Sequence, residues 1–346
     1  MKVVVAHGAK DLRLDEQVKE VPGFGEVSVK IQSGGICGSD LHYFNHGGFG
    51  AVRLKQPMIL GHEVAGVISE LGEGVEDLKV GQLVAVSPSR PCSNCTYCAK
   101  GLPNHCEDMR FYGSAMPFPH IQGAFREFLV AKAVQCVPAG GLKPSEAAMA
   151  EPLSVCLHAV KRAGDLVGKR ILITGCGPIG ALCVLAARRA GAGEIVVTDL
   201  SDFPLQIARK VGADTALNLM NDPDALAPYQ SGKGYFDVLF ECSGSALALN
   251  GAIPALRPRG VIVQLGLGGD MTLPVQAMTA KELDLRGSFR FHEEFPEAVR
   301  FMQSKLIDVS PLHTHTFPME QSVEAFELSG DRSQAMKVQI SFGDEA

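Results

Sequence analysis

The sequence predicts an α/β protein in two parts, a β-rich domain followed by a doubly wound parallel-sheet domain. Three observations carry this. Short β-type runs separated by Gly- and Pro-containing turns fill residues 1–143. Apolar strands alternate with helical stretches over residues 144–287. The chain has 346 residues and 46% hydrophobic content, enough for two cores.

In the first part the β-type runs are KVVVA (2–6), EVSVKIQS (26–33), VAGVISELG (64–72) and QLVAVS (82–87). In the second part RILIT (170–174) leads into a helical stretch at 178–191. EIVVTD (194–199) then leads into 203–213, and FDVLFE (236–241) into 246–257 before GVIVQLG (260–266). These strands are almost wholly apolar, as strands covered on both faces are, and the alternation implies right-handed crossovers in a parallel sheet. Beyond residue 288 a helical pattern, EEFPEAVRFMQSKLI, precedes a closing strand, QAMKVQISF (334–342). Residues 288–346 are expected to return to the first domain.

Composition removes several functions. The net charge is −6 and no Lys/Arg run forms a nucleic-acid footprint. No stretch of about 18 uninterrupted apolar residues predicts a membrane span. The N-terminus turns polar too soon for a signal peptide, so a cytoplasmic protein is expected. Its ten cysteines are then expected to be reduced, and clustered ones read as metal ligands.

Gly175-Cys176-Gly177-Pro178-Ile179-Gly180 fits G-x-G-x-x-G. It follows an apolar strand and opens a helix, which is the context a dinucleotide-binding turn requires. The backbone can approach a pyrophosphate there, and the helix N-terminus supplies free N–H groups. Asp199 closes the next strand at the position of a ribose-binding acid. No basic residue occurs in Leu200-Ser201-Asp202-Phe203-Pro204 to hold a 2′-phosphate. The expected cofactor is NAD, with NADP possible.

Cys92, Cys95, Cys98 and Cys106 form C-x2-C-x2-C-x7-C, which suits a closed tetrahedral zinc of structural type. The long last gap, followed by Glu107 and not by Pro, departs from ferredoxin spacing. Three other segments are individually bland. Cys37 lies in a glycine-flanked loop, His62 and Glu63 follow Met58-Ile59-Leu60, and Glu151 stands in Ala150-Glu151-Pro152. Taken singly, these read as a small buried thiol, a core histidine and two surface acids.

Together, GGICGSDLHY (34–43), LGHEVAGVI (60–68), the four-cysteine lobe, AEPLSV (150–155), GCGPIG and FECSG (240–244) resemble the zinc-containing medium-chain dehydrogenases over nearly the whole chain. Ser39, His42, Glu151 and GSFRF (287–291) resemble the polyol and sugar-acid branch, related to sorbitol dehydrogenase. The stretch MRFYGSAMPFPHIQGAF (109–125) resembles the branch members that oxidise L-idonate.

The resemblance implies a GroES-like β-rich catalytic domain plus a Rossmann domain, with the active site between them. It places a catalytic zinc on Cys37, His62 and either Glu63 or Glu151, beside the structural zinc. Asp40 would orient a ligand, Ser39 would carry the proton of the substrate hydroxyl, and His42 would continue toward solvent. Gly244 and Gly266 would lie along the cofactor. The substrate would be a small polyol or sugar acid. Arg290 is the expected partner of a carboxylate, with Arg110 and Arg126 as alternatives, and Tyr43 and Phe118 would line the pocket. Relatives of this kind imply a homotetramer or homodimer. Sorbitol-type relatives often carry an Arg a few residues after the ribose acid, where this chain has Ser-Asp-Phe-Pro. Zinc-free reductases and cofactor sensors on the same scaffold lack the Cys37, His62 and Glu151 set.

Overall fold

The computed structural model describes residues 1–343. The first sheet is built on β1 (Glu26–Gly35), whose alternating apolar residues Val27, Val29 and Ile31 are fully buried. Helix α1 (Gly38–His46) follows directly. Its start is fixed by Asp40, whose carboxylate accepts the Cys37 N–H at 3.0 Å, and it ends at Gly47 in a left-handed conformation. Strands β2 (Glu63–Leu71), β3 (Leu83–Val86), β4 (Phe128–Lys132) and β5 (Cys136–Pro138) complete the early part of the sheet.

Helix α2 (Ala150–Ala163) opens the second part, and β6 (Arg170–Thr174) follows it. Helix α3 (Pro178–Arg189), β7 (Glu194–Asp199), α4 (Asp202–Lys210), β8 (Thr215–Asn218), β9 (Phe236–Glu241), β10 (Leu256–Gln264) and β11 (Asp284–Gly287) continue it. These six strands run parallel in the order β8-β7-β6-β9-β10-β11. The order reverses between β6 and β9, so a crevice opens at their carboxyl ends. The core strands lie where the apolar runs predict them. The main difference is β10, which begins at Leu256, inside the stretch expected to be helical. Helix formation there stops at Ala252, and a short 3-10 turn containing Pro254 leads into the strand.

After β11 come α5 (Glu294–Gln303), β12 (His313–Pro318), α6 (Ser322–Ser329) and β13 (Lys337–Ser341). Strand β13 pairs with β1 and with β12, so the first sheet reads β5-β3-β2-β1-β13-β12 with β4 also on β1. The tail therefore rejoins the first sheet at β12. Before that, α5 packs on α2 and contributes Phe295, Ala298, Val299 and Met302 to the core around β6 and α3. An amphipathic helix buries its apolar face against the nearest matching one, and here that is α2.

Polar contacts seal this α2–α5 seam. Glu294 accepts from the His158 ring at 3.2 Å and from the His292 N–H at 2.9 Å, and Lys161 reaches Glu293, Glu294 and Glu297. Burial alone would raise the Glu294 carboxyl. The hydrogen bonds from His158 and His292 outweigh that and bring it down to about 2. A depressed carboxyl stabilises the fold above its unfolded-state pKa and loses that contribution as pH falls through the folded value. We expect Glu294→Gln to cost about 2–3 kcal/mol at pH 7. The difference from the parent should fade between about pH 4.5 and about pH 2. Urea unfolding of both chains across that range measures it, and a pH-independent difference would contradict it.

Candidate active site

The antiparallel register of β1 and β2 brings the dispersed segments together. Gly35 pairs with Glu63 and Gly34 with Val64, so the loop leaving β1 and the residues entering β2 share one end of the sheet. The donor atoms of Cys37, His62 and Glu63 lie within 4.8 Å of one another. Asp40, fully buried, joins the two loops by accepting the Cys37 N–H and the Gly61 N–H at 3.1 Å. Its carboxylate stands 3.8 Å from His62 Nδ1, a buried atom with no hydrogen-bond partner. Burial disfavours the imidazolium, but the Asp40 and Cys37 charges outweigh it and hold His62 well above the ordinary imidazole range.

Two acids face this cluster in different states. Glu63 is 1% exposed, and Lys337 Nζ donates to both of its oxygens at 2.8 and 2.7 Å and to the Ile36 carbonyl at 3.1 Å. Lys337 reaches it because β13 pairs with β1 at Gln339 and Gly35. Glu151 stands in the first turn of α2, also buried, outside the trio of nearest donors. It forms no ion pair among the described residues. Burial pushes its carboxyl up to about 7, against the pull of His62.

Ser39 and His42 sit one turn apart on α1, Ser39 half-buried and His42 exposed. Burial of part of the ring, with His46 nearby, holds His42 below the usual imidazole value. Tyr43 is packed into the core at 2% exposure, and its hydroxyl accepts the Ala115 N–H at 3.0 Å. The bond ties α1 to the 109–125 loop. Phe118 is 62% exposed, edge-on to His120. It makes no aromatic contact with the cluster.

Arg290, in a left-handed backbone conformation (φ 56°), lays its guanidinium over the Phe111 ring at 4.4 Å. The Phe111 ring in turn lies 5.5 Å from the His62 ring. Burial lowers the Arg290 pKa, and no acid pairs with it within 4.0 Å among the described residues. Arg126 is buried against the Gly123 carbonyl and Glu20, and Arg110 lies exposed in a two-strand pairing with Arg90.

Cys92, Cys95, Cys98 and Cys106 converge within 4.8 Å in a separate lobe, and none of the four is in a disulfide. The Cys98 and Glu107 N–H groups draw the Cys95 thiol down to about 6. The lobe touches the Arg290 segment: buried Asn104 donates to the Phe289 carbonyl at 3.1 Å, and His105 stacks on Phe289. Both donor sets suit zinc, one as four thiolates and the other as a thiol, an imidazole and carboxylates that leave an open position.

At the crevice of the parallel sheet, Gly175 turns the chain with φ 80°, and a side chain there would strike Ser243. Gly177 precedes the first turn of α3, which holds Pro178, Ile179 and Gly180. Asp199 accepts from the Cys176 N–H at 2.6 Å and from the Leu200 and Ser201 N–H groups. Gly244 and Gly266 meet backbone to backbone after β9 and β10. Glu241, fully buried, ties these ends together by accepting from the N–H groups of Ser243 and Gly244 and from Gln264 Nε2.

Sequence reasoning did not single out Phe111, Asn104, Lys337 or Glu241. A lysine inside the apolar run AMKVQISF was a signal for Lys337, and Glu241 stood inside FECSG. Phe111 and Asn104 carry no sequence signal, since only the fold brings them to the cluster.

The arrangement defines a class, a two-domain oxidoreductase with a dinucleotide crevice beside a metal-ligating cluster. Residues 23–141 match the alcohol dehydrogenase GroES-like domain and residues 178–304 the zinc-binding dehydrogenase family. The chain is 43% identical over 340 residues to L-idonate 5-dehydrogenase (NAD(P)(+)) of Escherichia coli, covering 98% of each. It is 37% identical to sorbitol dehydrogenase of Gallus gallus, covering 97% of this chain and 95% of that one. The crystal structure of the E. coli L-idonate 5-dehydrogenase superposes with a TM-score of 0.94 at 42% identity, over 98% of this chain and 97% of that one. The chain belongs to the zinc-binding, medium-chain alcohol dehydrogenase family.

Proposed function

We propose that the protein oxidises a secondary hydroxyl of a sugar acid, L-idonate to 5-keto-D-gluconate, with NAD(P). Support for the acid over a neutral polyol comes from one observation above all. Arg290 is a partly desolvated cation with no ion pair within 4.0 Å among the described residues, felt by the Glu151 carboxyl and held on Phe111 beside the His62 cluster. A carboxylate-bearing substrate satisfies such a group. The curated relative named for L-idonate points the same way.

Cys37 and His62 would hold the catalytic zinc with one carboxylate. Because Lys337 engages both Glu63 oxygens, Glu151 is the acid left free for the metal, and Glu63 stands behind it. Bound zinc supplies Lewis acidity that lowers the pKa of a substrate hydroxyl, and the nicotinamide supplies the two-electron acceptor. Asp40 fixes both ligand-bearing loops and sets a carboxylate 3.8 Å from the His62 ring. Ser39, at the start of α1, would relay the hydroxyl proton, taking it as it gives up its own, and His42 would receive the released proton and return it to solvent. Partial burial and His46 favour the neutral His42 ring, the form that has a free nitrogen to receive a proton. Phe111 and Tyr43 keep Arg290 and the 109–125 loop in place. Cys92, Cys95, Cys98 and Cys106 would hold a structural zinc.

Gly175, Gly177, Pro178, Ile179, Gly180, Gly244 and Gly266 would border the cofactor. Asp199 would receive the ribose hydroxyls and favour NAD over NADP. We assign residues 1–143 and the tail from β12 onward to the catalytic domain, and residues 144–287 together with α5, which packs on α2, to the cofactor domain. The enzyme would be a cytoplasmic homodimer or homotetramer. No helix is long and apolar enough to cross a membrane, and all ten cysteines are free.

The test is a substrate panel with the parent chain and Arg290→Ala. L-Idonate should be oxidised faster than sorbitol by the parent. The variant should raise KM for L-idonate by roughly 10–100-fold, the loss of one charged hydrogen-bond pair. Its sorbitol kinetics should barely move. A parent that prefers sorbitol would instead establish the polyol reading, toward which the similarity to sorbitol dehydrogenases points.

A further inference from the structure

We propose that Asn104, in the four-cysteine lobe, is a positioning residue for the substrate. It holds Arg290 where a sugar-acid carboxylate meets it, so the lobe shapes substrate preference. The inference rests on the carboxylate role given to Arg290 above. Asn104 is buried, and its Nδ2 donates to the Phe289 carbonyl at 3.1 Å. No other donor reaches that carbonyl among the described residues. The carbonyl belongs to the planar peptide unit that leads into Arg290, so holding it fixes the plane from which the Arg290 φ angle turns. That angle is 56°, a left-handed value that a side chain such as arginine keeps only where its surroundings impose it. Released from Asn104, the peptide unit can rotate and carry the guanidinium away from the His62 cluster.

Both ends of this link are braced. On the lobe side, Asn104 lies on a 3-10 turn, Pro103–His105, closed by the Cys106 N–H on the Pro103 carbonyl at 3.0 Å. Cys106 is tied in turn to Cys92, whose N–H donates to its Sγ at 3.1 Å. His105 stacks on the Phe289 ring with centroids 6.0 Å apart. On the site side, the Arg290 guanidinium lies 5.0 Å from the Phe289 ring and 4.4 Å from the Phe111 ring, and its Nη2 is 3.6 Å from Met116 Sδ. Ring faces and a thioether are weak acceptors. These contacts settle where the guanidinium stands and leave its strong donors for a carboxylate. The side-chain contacts do not hold the Arg290 backbone, and the Asn104 bond does. A neutral polyol offers no carboxylate, so its binding is insensitive to this placement.

Kinetics of the zinc-loaded full chain on L-idonate and sorbitol test this as a mutant cycle. Parent, Asn104→Ala, Arg290→Ala and the double variant are compared, with zinc content measured on each preparation. Asn104→Ala should raise KM for L-idonate by roughly three- to tenfold, the loss of one hydrogen bond. Its kcat and its sorbitol kinetics should stay within about twofold of the parent, with both zincs retained. The rise in Tm that L-idonate gives in the presence of NADH, a complex that cannot turn over, should shrink in step. In the Arg290→Ala background the same change should leave L-idonate kinetics where they were. Asn104→Asp keeps the side-chain shape and removes the donor, so it should raise KM for L-idonate at least as much. An equal loss on sorbitol, or the same factor in both backgrounds, would overturn the proposal, because either marks a general loosening of the lobe. So would a KM for L-idonate unchanged in both Asn104 variants. An Arg290→Ala chain whose KM for L-idonate matches the parent's would instead overturn the carboxylate reading.

Discussion

Cys37→Ser and His62→Ala should each lower turnover by roughly a thousandfold or more while NADH still binds. Losing a metal's charge stabilisation removes several kcal/mol from the transition state, and each 1.4 kcal/mol is a factor of ten. The two donor clusters are separate, so zinc content should fall from two to one per chain, not to zero. NADH binding survives because the crevice after β6 and β9 shares no ligand with the cluster. Zinc analysis, NADH titration and initial rates on one preparation make the comparison. Undiminished turnover in a variant verified to hold one zinc would reject this site. The same assay separates the two acids. Glu151→Gln should lower catalytic zinc more than Glu63→Gln does, because Glu63 is committed to Lys337. The reverse order would move the third ligand to Glu63.

Lys337→Met should be the most destabilising single change, by about 3–5 kcal/mol. Lys337 and Glu63 are 2% and 1% exposed, and each is the other's main compensation. Burial disfavours the ammonium, yet the Glu63 and Cys37 charges outweigh it and raise the Lys337 pKa. Removing the lysine leaves a buried carboxylate beside Cys37 and strips the Ile36 carbonyl of its donor. The double variant Glu63→Gln/Lys337→Met removes both charges and should recover most of the loss. Urea unfolding of zinc-loaded parent, single and double variants provides the cycle. A double variant no more stable than Lys337→Met would show that the pair is not the source of the effect.

The cluster and the buried pair have different geometric causes. The cluster exists because β1 and β2 pair with Gly35 opposite Glu63. The buried pair exists because the last strand returns to lie beside the first long one. The lobe adds a third link. Asn104 holds the Phe289 carbonyl, so the four-cysteine lobe helps keep Arg290 in its left-handed conformation. A site assembled from such remote segments is sensitive to changes that touch neither metal nor substrate.

Much was legible in the sequence for physical reasons that act locally. Buried parallel strands must be apolar along their whole length, so RILIT, EIVVTD and FDVLFE announce the second sheet. The glycine-rich turn carries its own context, because a strand and a helix flank it within a few residues. The four cysteines are close along the chain, so spacing alone implies a shared ion. Resemblance to a family supplied Cys37, His62 and the acids, which spacing could not.

What the sequence by itself determined is therefore the two-part architecture, the nucleotide turn and the cysteine lobe, whose causes lie within a few residues of each other. Only the tertiary structure decided which acid is free. Glu63 and Glu151 look alike in sequence, but one meets a lysine 274 residues away and the other meets no cation within ion-pair distance among the described residues. It also decided that Tyr43 ties α1 to a loop, that Arg290 rests on Phe111, and that Asn104 holds the Phe289 carbonyl. These are contacts between segments distant in sequence. Their energies depend on burial and distance, quantities that exist only once the chain has folded.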